Sequence, residues 1–165
     1  MFRIDEYIAS IADNLAEKNG LLMAYLRKID DLAISTDVKN LIFTLYIEPS
    51  RFELTFVLFS YDNCANEVSG ISEDGKLVSS VSSQDMPYFS LSGSVVNQYE
   101  DFYEENEWEI YTKEQEVFFS WFLANWKSGI HGQNPIPVYL QIHDEEQILD
   151  LKNEKRISSE EIWKA

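Results

Sequence analysis

The stretch NQYEDFYEENEWEIYTKEQEVFFSWFLANW, Asn97 to Trp126, sets eight carboxylates and a single lysine among closely spaced aromatic rings. A surface this rich in carboxylates can attract a basic protein and speed its association. Carboxylates can also work as an acid/base pair of the glycosidase type, provided two of them are placed across a bond. Abundance of Asp and Glu places no such pair. The chain carries no Gly-x-Gly-x-x-Gly, no Walker loop, no Gly-x-Ser-x-Gly elbow and no His-Glu-x-x-His, so no familiar catalytic constellation is written in it.

The remaining reactive side chains are few. His131 lies in a glycine-rich break, and His143 precedes Asp144, Glu145 and Glu146. Adjacent residues on a strand point to alternate faces, so this run reads as a hairpin tip and not as a metal site. Cys64 is alone, which excludes an intrachain disulfide and a cysteine metal cluster, and it reads as a small core or turn residue. No catalytic residue, metal ligand or cofactor is expected.

Projected at 100° per residue, Val95, Val96, Tyr99, Phe102 and Tyr103 share one arc of a helix capped by Ser94, and Glu100, Asp101, Glu104 and Glu105 share the opposite arc. Glu100 with Glu104, and Asp101 with Glu105, are like-charged neighbours four residues apart, each costing about 0.2–0.5 kcal/mol. Such a face is either simply solvated, paired with basic residues from elsewhere in the fold, or presented to a cationic partner. A second helix over roughly 113–127 is apolar round most of its girth, and Phe118, Phe119, Phe122, Leu123 and Trp126 are expected in the core. Trp108 and Tyr111 fall in the connection between the two helices and are expected to be more open, as interface anchors often are. The candidate partner-binding set is therefore Glu100, Asp101, Glu104, Glu105, Glu107, Trp108, Glu109 and Tyr111.

These residues need a scaffold. Ile4, Ile8, Ile11 and Leu15 recur at helical spacing up to the Asn19-Gly20 stop. Leu22, Tyr25, Leu26, Ile29 and Leu32 repeat the pattern, as a second helix or as a continuation of the first. LIFTLYIEP and FELTFVLFS, joined at Pro49-Ser50-Arg51, form a central hairpin. EVSGISEDGKLVSSV supplies weaker edge strands around Asp74-Gly75, and the serine-rich run from Ser79 to Ser94 reads as a loop. The break from Ser128 to Pro135 leads to a second hairpin, IPVYLQIHD with QILDLKN, and Ser158 or Ser159 caps a short closing helix ending at Trp163. The expected class is α+β: one domain over residues 1–165, with an antiparallel sheet of about four to six strands packed against helices.

The 165 residues are 45% hydrophobic and 14% aromatic, enough to build a core. Twenty-nine acids against thirteen bases leave a net charge of −16, which repels nucleic acid phosphates and anionic membranes and favours a basic protein partner. The N-terminal segment has no signal-type apolar core and no run approaches a membrane span, so a cytoplasmic location is expected.

The closing run PIPVYLQIHDEEQILDLKNEKRISSEEIWKA, with EVFFSWFLANW ahead of it, resembles the layout of small acidic immunity proteins of bacterial toxin systems, loosely those of the Smi1/Knr4 group. The likeness lies in arrangement and charge over roughly the last 50 residues, without that group's glycine-centred signature. It implies a protein that binds and blocks a basic toxin. A general interaction module held by exposed aromatics, and an enzyme with an unrecognised carboxylate site, are the alternatives.

Overall fold

Two strands dominate the architecture because their residues suit nothing else. NLIFTLYIE and ELTFVLFSY are β-branched and aromatic runs that become β2 (Asn40–Glu48) and β3 (Glu53–Tyr61), paired antiparallel from Asn40 opposite Tyr61 to Glu48 opposite Glu53. Along β3, Leu54, Phe56, Leu58 and Ser60 are buried while the intervening residues are half-buried, the two-residue period of a sheet with one covered face. The structure is a computed structural model and describes residues 2–129 and 135–164. His131 and most of the glycine-rich break lie outside the described residues.

Around this pair the chain runs α1 (Ile4–Glu17), α2 (Asn19–Asp30), β1 (Ala33–Ile34), then β2 and β3, β4 (Ile71–Glu73), β5 (Lys76–Val78), β6 (Ser80–Ser82), β7 (Met86–Pro87), α3 (Val96–Ser128), β8 (Val138–Ile142), β9 (Gln147–Asp150) and β10 (Lys155–Ser158). A closing 3₁₀ turn spans Ser159–Lys164. The class is α+β. The main sheet is larger than expected and is mixed: seven strands in the order β10-β9-β8-β2-β3-β6, with β7 also on β3, and β8 running parallel to β2. Hairpin signals in sequence report only antiparallel neighbours. The β2–β8 pairing joins segments nearly a hundred residues apart and is set by α3 carrying the chain back across the sheet. The weak strands β4 and β5 join β1 in a separate three-stranded sheet.

Two local expectations change and one alternative is decided. The Ser79–Ser94 run contains β6 and β7, both paired to β3. Of the two arrangements left open for the N-terminal segment, the structure has the pair of helices: Lys18, at φ −92° and ψ 1°, separates α1 from α2, with Gly20 inside the first turn of the second. Ser94 is no cap: it sits in a 3₁₀ turn ahead of α3, its hydroxyl 3.2 Å from that of Ser92.

The core lies between the helices and one face of the main sheet. Tyr7, Ile11 and Leu15 of α1, Leu22, Leu26 and Ile29 of α2, and Phe118, Phe119 and Phe122 of α3 are buried against Leu41, Phe43, Leu45, Leu54, Phe56 and Leu58. Phe122 sits 5.1 Å from Phe43 and 4.9 Å from Phe56, ring centre to ring centre. Leu123 and Trp126 pack half-buried against the same cluster. Tyr25 reaches from α2 into the ladder, donating to the Val81 carbonyl at 2.7 Å and accepting from the Leu58 N–H at 3.1 Å. On the opposite face of the sheet, Ile162 of the closing turn covers a smaller cluster of Ile42, Tyr139 and Ile148. Among the described residues no helix is long and apolar enough to cross a membrane.

Candidate functional site

The acidic face is carried by the first limb of α3. That helix runs through the region expected to be a connection, and its continuity is marred at one residue: Asn106 has φ −129° and ψ 16°, outside the helical region. Its side chain donates to the Phe102 carbonyl at 2.8 Å, at the point where the helix bends. Trp108 and Tyr111 are therefore helical residues at the start of the second limb.

The first limb is seated by its rings. Tyr99 and Phe102 are buried, with Phe2 at 5.6 Å and 5.4 Å from them, Tyr7 at 5.7 Å and 5.9 Å, and Phe52 5.3 Å from Tyr99. The arc facing away carries Glu100, Asp101, Glu104 and Glu105, all exposed, as the projection requires. Among the described residues none of these four makes an ion pair with Arg, Lys or His, and neither does Glu107, which is also exposed. Arg3 lines a shallow concavity with Phe2, Asp101, Phe102 and Glu105, but its carboxylate partner is Glu6, at 3.6 Å.

Past the bend, Trp108 is 80% exposed, the most open large apolar side chain among the described residues. Glu109 behaves differently from the other acids: Lys113 bridges it at 3.1 Å and holds Asp5 at the same distance. Tyr111 is half-buried, and its hydroxyl donates to Glu145 in the turn between β8 and β9. Burial and the nearby Glu145 carboxylate push that phenol up to about 12. Six of the eight candidates, Glu100, Asp101, Glu104, Glu105, Glu107 and Trp108, thus form an open surface whose acids are unpaired with cations among the described residues, while exposed Glu109 is paired with Lys113 and Tyr111 is tied to Glu145.

A residue passed over in sequence sits beneath this surface. Glu114 is 5% exposed and accepts a hydrogen bond from the Tyr7 hydroxyl at 2.6 Å, and the Tyr99 hydroxyl lies 3.2 Å from that of Tyr7. A phenol has one proton to give; Tyr7 spends it on Glu114, so Tyr99 donates to Tyr7. Desolvation raises the Glu114 carboxyl from its ordinary 4.5 to about 7, opposed in part by the bond from Tyr7. The signal was present: Ile110, Glu114 and Phe118 are spaced four apart, and the first and third are fully buried, so the acid between them lies on the core stripe.

The other reactive groups are unremarkable in their settings. The His143 ring lies 4.5 Å from that of Tyr46, tilted 32° to it, and its Nδ1 is 3.0 Å from the Asp144 carboxylate, in an exposed hairpin turn where Asp144 takes φ 66°. Cys64 is exposed in a turn organised by Asp62, which accepts from the backbone N–H groups of Cys64 and Asn66. Among the described residues no group of three or more His, Cys, Asp or Glu converges as a metal site. Comparison with known proteins returns no match among family models, curated proteins or solved structures.

Proposed function

We propose that this chain is a non-enzymatic binding protein that docks a basic protein on the acidic limb of α3, and that the partner is a toxin domain it neutralises, as in bacterial immunity proteins. The observation that supports this reading is the run Glu100, Asp101, Glu104, Glu105 and Glu107: five exposed carboxylates without a cationic partner among the described residues. Internal neutralisation would have removed the reason to propose it. A cationic protein meeting this face gains from long-range attraction within a field set by the net charge of −16, and gains again from relief of the like-charge pairs. Nucleic acid and anionic membrane are repelled by the same field. A location in the cytoplasm belongs to the same proposal.

Trp108 favours a second reading, in which a partner is held mainly through exposed aromatics. The two separate by salt. Wild type and a variant with Glu100, Asp101, Glu104 and Glu105 changed to Lys are immobilised and challenged with host lysate at low and then moderate salt. The immunity reading expects a basic protein that is retained by wild type, released by salt and missed by the folded variant, and that then loses its toxicity when mixed with wild type in stoichiometric amounts. Retention of one partner by both proteins, indifferent to salt, refutes the acidic surface and supports the aromatic one.

A further inference from the structure

Glu114 joins three pieces of the fold. Its carboxylate is on the second limb of α3, its hydrogen-bond donor Tyr7 is on α1, and Tyr99, which donates to Tyr7, is on the acidic first limb. Among the described residues the titratable groups that face it are tyrosines: Tyr7 from α1, Tyr88 from the segment after β7, and Tyr99 and Tyr103 from the first limb. Among the described residues no cation reaches it; Lys113, its neighbour in sequence, is turned to Asp5 and Glu109. An ionised carboxylate in such a setting has a single phenolic donor to replace its water shell, and the shortfall is relieved only by admitting water.

Water can reach Glu114 by parting α1 from the first limb, and the limb is built to part. It joins the second limb through the non-helical Asn106, so it can move without unwinding the core half of the helix. It rests on Tyr7 through ring contacts from Tyr99 and Phe102, so displacing Tyr7 removes part of its seat.

We propose that Glu114 is a protonation-controlled tie: neutral, it lets Tyr7 hold the acidic limb of α3 closed against α1, and ionised, it loosens that limb at Asn106. The raised carboxyl places the change near neutral pH. The inference concerns the limb's placement and stands whatever that limb binds.

Hydrogen exchange on the full chain tests it, comparing peptides over 97–105 with peptides over 113–128 after correction for the intrinsic base-catalysed rate. If the closed carboxyl titrates at about 7 and the open one at its ordinary 4.5, opening of 97–105 increases about tenfold between pH 6 and pH 8.5 in wild type by proton linkage. Glu114→Gln abolishes the increase. Tyr7→Phe, which removes the donor that favours the charged form, moves it to higher pH. A flat wild-type profile, or an unchanged rise in Glu114→Gln, overturns the proposal. Should Glu114→Gln fail to fold, the wild-type exchange profile is read beside carbon-13 carboxyl titration of its glutamates: opening of 97–105 that rises together with one glutamate titrating near pH 7 sustains the proposal, and all glutamates titrating below about pH 5.5, or a rise that does not follow that titration, overturns it.

Discussion

Glu114→Gln should change how stability depends on pH. The sign follows from the direction of the shift. Because the folded protein holds the Glu114 proton more tightly than the unfolded chain, this group contributes stability fully below about pH 4.5, loses it as pH rises to about 7, and changes little above. A displacement from 4.5 to about 7, at about 1.4 kcal/mol for each pH unit, gives a loss of about 3 kcal/mol across that window. This is an upper bound, since local opening of the limb lets the native ensemble avoid part of the cost. Gln is neutral throughout and its side-chain carbonyl can still accept from Tyr7, so the variant lacks the slope. The measured quantity is the difference between wild type and variant in urea unfolding at pH 5, 6, 7 and 8, by circular dichroism, because subtraction cancels the other carboxylates. The difference should move by about 2–3 kcal/mol in favour of the variant as pH rises. A difference constant within about 0.5 kcal/mol over that range would refute the reasoning.

Phe122→Ala should cost about 3–5 kcal/mol in urea unfolding, since it removes a fully buried ring wedged between Phe43 and Phe56. Tyr25→Phe should cost about 1–3 kcal/mol by leaving the Leu58 N–H and the Val81 carbonyl without their shared hydroxyl, measurable by the same titration. Trp108→Ala should leave stability within about 0.5 kcal/mol, because the ring is open to solvent. Under the aromatic reading it would lower partner affinity at least tenfold in calorimetry, and under the purely electrostatic reading hardly at all.

Helical and strand periods carried much of this fold. The three-and-four spacing of Ile4, Ile8, Ile11 and Leu15, and the apolar runs of β2 and β3, report burial directly, because each residue's neighbours along the chain share its face. What could not be read were decisions taken between distant segments. No local pattern says that Val138–Ile142 lies parallel to β2, or that the triplet Ser80–Ser82 and the dipeptide Met86–Pro87 in the 79–94 run find β3 as a partner. The gap between two helices was legible at its first edge, since the two limbs meet at the non-helical Asn106, but not in its length: residues 107–112, expected as a connection, are helical. Within the site, exposure of the four-acid arc followed from projection alone. The pairing of Glu109 with Lys113 was within reach as a four-residue spacing of opposite charge. The tie of Tyr111 to Glu145 crosses thirty-four residues and was not.

The acidic limb raises a question of balance that bears on every experiment above. Its two like-charge pairs cost about 0.2–0.5 kcal/mol each, whereas burying Tyr99 and Phe102 against Phe2, Tyr7 and Phe52 contributes about 1.5–3 kcal/mol per ring. The seat outweighs the repulsion severalfold, so stability neither demands a carboxylate face nor forbids it. Lysines at 100, 101, 104 and 105 would restore the same like-charge spacing with the opposite sign, at the same small cost, and touch none of the buried rings. The fourfold Lys variant should therefore fold with near wild-type helicity. Its loss of a basic partner can then be assigned to the charge of this face, and an unfolded variant would mean that the limb is held by its acids and not by its rings.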